Sequence, residues 1–164
     1  MMKIANPLKH ITLSCALGLS TISLPTIAEE NTYIQSTTAR NEALVVEFVN
    51  KTFNERADIE ETAKRYLARN FIQHNPNIPT GRAALVELLQ SWLPYVPGQV
   101  AEIKRVISSD DLVVLHVHYY DKNSGELGNA AVDIFRVNKR GKIAEHWDVI
   151  QPIPAESANN NGMF

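Results

Sequence analysis

From Ala39 onward, Leu44, Val45, Phe48, Val49, Thr52 and Phe53 recur at three- and four-residue steps and form one stripe, which predicts a long first helix. Residues 29–38 before it are polar and patternless, the composition of a flexible leader. Asp58 followed by Glu61 fits a capping box, in which each side chain satisfies a free amide at a helix start. Ile59, Ala63, Tyr66 and Leu67 give that second helix a short apolar face, and it should stop near Asn70. Residues 71–76 read as a short strand ended by Pro76, and Pro79-Thr80-Gly81 as a turn. A third helix follows, with Leu85, Leu88, Leu89 and Trp92 on one side and Pro94 as its stop.

Beyond Gly98 the period changes to two. Segments 99–108, 111–120, 128–137 and 143–151 are rich in Val, Ile and aromatic residues, with turn residues at each junction. They predict four consecutive strands joined as hairpins. Helices first and a meander afterwards imply an α+β domain whose helices cover one face of a sheet. The tail, residues 155–164, has no pattern and is expected to be loose.

Composition changes this picture mainly at the N-terminus. Lys3 and Lys9 precede an uncharged run of residues 11–24, and Pro25-Thr26-Ile27-Ala28 then meets Glu29-Glu30. This is the layout of a secretory signal peptide over residues 1–28, with cleavage expected after Ala28 and a periplasmic or secreted product. The run is about 14 residues, short of the roughly 20 that span a bilayer, so stable membrane insertion is not expected after cleavage. Loss of Lys3 and Lys9 takes the formal charge from −2 to −4, which disfavours a nucleic-acid partner. The one cysteine, Cys15, lies in the expected signal peptide, so the domain of residues 39–154 has neither disulfides nor thiol chemistry. Phosphate-binding glycine loops and nucleophile elbows are absent, which argues against nucleotide-dependent or covalent serine chemistry.

Candidate chemistry lies on the strands. Leu112, Val114, His116, His118 and Tyr120 share one face of the second meander strand, and Val113, Leu115, Val117 and Tyr119 the other. Both faces are substantially apolar, so the sheet needs a second cover, and a homodimer through its outer face is expected. Asp133 interrupts an apolar row that includes Phe135, and His146 and Asp148 share one side of the last strand, opposite Glu145 and Trp147. A carboxylate is costly to bury as the anion, and desolvation turns such a group into a proton shuttle near neutral pH. The competing reading is a salt bridge from either aspartate to Arg136 or Arg105. His116, His118, His74 and His146 lack a specific metal-ligand spacing, so neither a metal nor another cofactor is expected. Trp92 and Trp147 are residues of a type more often found in a core than on a pocket wall, with the pocket as the alternative.

Tyr66-Leu67 leading to Phe71-Ile72-Gln73-His74-Asn75-Pro76, Gly81-Arg82 opening a helix, Asp133-Ile134-Phe135-Arg136-Val137 and Gly141-Lys142-Ile143-Ala144-Glu145-His146-Trp147-Asp148 together resemble the SnoaL-like polyketide cyclase family of the nuclear-transport-factor-2-like superfamily. The resemblance implies a cone-shaped, curved antiparallel sheet of about four long strands plus a short one, wrapped over three N-terminal helices around a pocket. It implies an aspartate near the end of the domain as cofactor-independent acid/base for aldol-type closure or isomerisation of a small apolar carbonyl compound. By position that residue is Asp148, with Asp133 as a second polar group and His74 in the strand that closes the cone. His118, His116, Trp147, His146, Trp92, Phe135 and Tyr66 are the expected substrate-binding residues. The alternative is a non-catalytic small-molecule-binding or dimeric assembly module, since fold alone does not transfer function.

Overall fold

The computed structural model describes Leu24 and residues 26–164, so most of the expected signal peptide lies outside the described residues. Helix α1 spans Ile27–Val49. The segment read as a flexible leader is therefore helical: Thr26 and Glu29 form a complete capping box that starts the helix twelve residues before Ala39. Its first turns are exposed, so no apolar stripe announces them. Only further along does α1 turn Val45, Phe48 and Val49 into the core.

A π-helical turn, Asn50–Asn54, follows directly. Asn54 ties it to the sheet by accepting from the Ala101 amide and donating to the Ala101 carbonyl, both at 2.9 Å. Helix α2, Ile59–Tyr66, is capped by Asp58, whose carboxylate accepts from the Glu61 amide at 2.8 Å. The expected box is half made, because the Glu61 side chain turns to Lys64 instead. Strand β1, Leu67–Gln73, begins four residues earlier than expected, since Leu67 and Ala68 are drawn into the core in extended conformation. Helix α3, Arg82–Trp92, runs into a short 3-10 turn that contains Pro94.

Strands β2 (Gln99–Ser109), β3 (Leu112–Asp121), β4 (Asn129–Val137) and β5 (Ile143–Pro152) form the expected meander. The sheet order is β1-β5-β4-β3-β2. Only the meander is antiparallel, because β1 pairs with β5 in parallel. Register shifts after Ile103 in β2 and after Arg136 in β4 interrupt the ladders of the curved sheet, as bulges do. Val113, Leu115 and Val117 of β3 are fully buried under α1, and each contributes about 1.5–3 kcal/mol by leaving water. The tail beyond Pro152 has no regular structure, yet its end is not loose: the Phe164 ring lies 4.8 Å from that of His118 on the outer face of β3.

Gly128 sits at the head of β4 with φ +79°, a conformation L side chains rarely adopt. A Cβ there would penetrate the Tyr119 carbonyl oxygen and approach the Tyr120 Cβ to 2.8 Å. Gly128→Ala should cost about 2 kcal/mol or more, read as a lowered denaturant midpoint at unchanged slope. A midpoint equal to wild type would show that the β3–β4 connection is not tight.

Candidate active site

The β4–β5 register decides which side chains meet. Asp133 stands opposite Asp148 and Phe135 opposite His146, so all four point to the same, inner face. They form one wall of a cavity of about 380 Å³. Phe48, Val49, Thr52 and Phe53 close it from α1 and the π turn, and Leu85, Leu88, Leu89 and Trp92 from α3. The wall is mainly apolar, and most of its polar groups gather where β1, β4 and β5 meet.

That cluster is closely hydrogen-bonded. Asp133, 3% exposed, accepts from the Tyr119 hydroxyl at 2.9 Å and meets His146 Nε2 at 3.3 Å. His146 Nδ1 lies 3.0 Å from Gln73 Oε1, and the Phe135 ring lies 4.7 Å from the imidazole. Asn75 donates its side-chain amide to both oxygens of Asp148, at 2.7 and 2.9 Å. Among the described residues neither aspartate forms an ion pair with lysine or arginine. Arg136 is on the outer face against Glu145, with Nε 2.7 Å from Oε1, and Arg105 is 2.9 Å from His116. The salt-bridge reading of Asp133 and Asp148 thus gives way to a cavity-facing pair.

Burial pushes the Tyr119 phenol well above its ordinary value of 10.0, and the charges and hydrogen bond of Asp133 and Asp148 push the same way. Tyr119 is therefore a neutral donor toward Asp133 over the working range. Asp133, His146 and Asp148 offer donor atoms that all lie within 4.8 Å of one another, the spacing that could surround a small cation. In this arrangement His146 meets Asp133 and the Asn75 amide donates to Asp148.

Five of the expected residues reach this cavity: Asp148, Asp133, His146, Phe135 and Trp92. The other five do not. His74 turns outward, 3.0 Å from Glu145 and stacked on Trp147 at 4.3 Å, because side chains alternate along β1 and its neighbours Gln73 and Asn75 take the inner side. Trp147 is outward for the same reason on β5. His116 and His118 lie on the outer face of β3, where His118 Nε2 meets the Leu127 carbonyl at 2.8 Å. Tyr66 is buried behind Phe48, with ring centroids 6.1 Å apart, and does not line the cavity. Residues not foreseen as site groups are Tyr119, Gln73 and Asn75. Tyr119 was visible on the strand face opposite the histidines; the other two depended on where β1 ends and on its pairing with β5.

The fold and this cavity define a nuclear-transport-factor-2-like protein with an internal pocket. The family model described as a SnoaL-like domain matches residues 45–146, and the chain belongs to that family. Similar solved structures include a proposed isomerase of the SnoaL-like family from Agrobacterium tumefaciens C58, with 12% identity over 69% of this chain and 98% of that one and a TM-score of 0.58. A proposed polyketide cyclase from Bacillus cereus ATCC 10987 has 22% identity over 68% and 74%, with a TM-score of 0.57. A proposed ketosteroid isomerase from Kribbella flavida DSM 17836 has 17% identity over 76% and 87%, with a TM-score of 0.59. At these identities the likeness carries the fold. A search of curated proteins found no match.

A phenol that holds its proton more tightly when folded contributes stability that is complete below about pH 10 and is lost as the pH climbs toward the folded value. Tyr119→Phe should flatten that alkaline limb and cost about 1–3 kcal/mol at neutral pH, by leaving a buried oxygen of Asp133 without its donor. Urea unfolding from neutral to roughly pH 11 measures both effects. An alkaline limb as steep as wild type would show that Tyr119 is not its source.

Proposed function

We propose that the protein is a cofactor-independent acid/base enzyme acting on a small apolar carbonyl compound, by aldol-type closure or isomerisation. One observation carries this reading: two cross-strand aspartates and an imidazole meet at one end of a mainly apolar cavity, with no lysine or arginine among the described residues paired to them. Asp148 is the base. The Asn75 amide orients its carboxylate, and it borders the cavity directly. It would remove a proton beside the substrate carbonyl, while the Asp133–His146 pair supplies the proton or hydrogen bond that the enolate oxygen requires. The apolar wall holds the carbon skeleton and keeps water from competing. Family membership supports chemistry of this class.

Asp148→Asn tests the assignment, because it keeps the shape and removes the base. Turnover of an aldol or enone-isomerisation substrate should fall about 100-fold or more, while the thermal midpoint stays within about 3 °C of wild type. Parallel loss of fold and activity would make Asp148 structural. Ligand-induced stabilisation without turnover in the wild type would instead identify a binding module.

We also propose export and self-association. Lys3, Lys9 and the uncharged run of residues 11–24 support export. Exposed Ile107, Val132 and Val149 on the outer sheet face support a homodimer. For protein recovered from outside the cytoplasm, denaturing mass spectrometry should show the mass of a chain that starts at Glu29, and native mass spectrometry twice that mass. A full-length monomer would overturn both.

A further inference from the structure

We propose that Gln73 is a positioning residue that dictates which nitrogen of His146 carries hydrogen, and so keeps one proton stored between His146 and Asp133. The purpose of such a proton rests on the acid/base reading above, but the inference itself rests on hydrogen-bond accounting.

The accounting starts at β1. Parallel pairing with β5 sets Gln73 beside His146, and the His74 amide donates to the His146 carbonyl at 2.9 Å, which locks the two strand ends together. Pro76 ends the strand, and the Thr80 hydroxyl accepts from the Gln73 amide at 3.1 Å, so the turn folds back over its own start. Within that turn the Asn75 backbone amide lies 3.0 Å from Gln73 Oε1. A backbone amide can only donate, so the atom facing it is the carbonyl oxygen, and the orientation of the Gln73 side chain is determined. The same oxygen is 3.0 Å from His146 Nδ1, and a carbonyl oxygen can only accept. Nδ1 therefore bears hydrogen.

This choice has a consequence on the other side of the ring. A neutral imidazole with hydrogen on Nδ1 presents a bare lone pair at Nε2. That lone pair would face an oxygen of Asp133 at 3.3 Å, and two acceptors repel unless a proton lies between them. The pair accordingly carries one proton more than a neutral imidazole beside a carboxylate. Three ionisable side chains face or flank this ring: the Asp133 and Asp148 carboxyls and the Tyr119 phenol, while Phe135 covers it at 4.7 Å. Among the described residues no lysine or arginine is paired with this cluster, and Gln73 is buried, 8% exposed.

Without the Gln73 carbonyl the constraint disappears. The ring can then keep hydrogen on Nε2 alone, donate it to Asp133 and leave Nδ1 bare, which releases the stored proton. The turn thus acts on both halves of the site, since Gln73 loads the acid while its neighbour Asn75 holds the base, Asp148.

The test is long-range proton–nitrogen NMR of histidine-labelled protein at mildly alkaline pH, where exposed imidazoles are neutral. The His146 ring is assigned by its absence from His146→Gln. Wild-type His146 should retain Nδ1–H, Gln73→Leu should lose it, and Gln73→Glu, which keeps an acceptor in place, should restore it. Gln73→Asn withdraws the amide by one methylene and should behave as Gln73→Leu, which serves if the leucine variant does not fold. A wild-type ring with bare Nδ1, or a ring unchanged in the leucine and asparagine variants, would overturn the proposal. None of these spectra depends on turnover, so failure of the enzyme reading at Asp148 and failure of this inference are separate results.

Discussion

Pairing Asp133 with Asp148, and Phe135 with His146, is what every other feature of the pocket rests on. Side chains on neighbouring strands face the same way only when they are in register, and a slip of one residue on either strand would send half of this set to the opposite face. The register is held from both ends. At one end the Asn138 amide donates to the Lys142 carbonyl and the Gly141 amide to the Asn138 carbonyl, both at 2.8 Å, and the bulge after Arg136 absorbs the offset. At the other, β1 adds in parallel and ties His74 to His146. Apolar neighbours enforce the choice, since Val137 and Ile143 are fully buried only in this register.

A register that buries Asp133 must also supply its hydrogen bonds, because an unpaired buried carboxylate is far more costly than the apolar residue it replaces. The sheet meets this requirement locally. Tyr119 comes from β3, two positions along the inner row from Val117, and His146 comes from β5, so Asp133 on β4 is served from both sides. Asp148, at the cavity margin, is served by Asn75 from beyond β1. Each carboxylate of the cavity is thereby held by a partner that lets the fold tolerate it, and the wall built by α1 and α3 stays mainly apolar.

Much of this was legible in the amino-acid order. The period-two segments placed β2 to β5 within one or two residues, because strands with one buried face must alternate and their turns carry Asn, Gly and Asp. Of the residues singled out from the sequence, Asp133, Phe135, His146, Asp148 and Trp92 line the cavity, and the aspartates drew notice because a carboxylate in an apolar row is conspicuous. The exposed start of α1 was not legible, since a helix that buries nothing leaves no stripe. Nor was the outward aim of His74, His116, His118 and Trp147. Alternation says which residues share a face, but not which face the helices cover; on β3 both rows were apolar enough to be the inner one.

The same ambiguity explains why the histidines misled while Tyr119, the residue after His118, was passed over. His116 and His118 are accommodated on the outer face by ordinary partners: an arginine, a main-chain carbonyl and the terminal Phe164 ring. Imidazole is useful on a wet surface as well as in a pocket, so its presence carries little information about side. A phenol buried beside a carboxylate is different, because burial strips it of water and leaves it as a fixed, neutral donor. Position on the sheet, rather than residue type, separates the groups that shape this site from those that merely decorate its back, and that position follows from how β1 docks against β5.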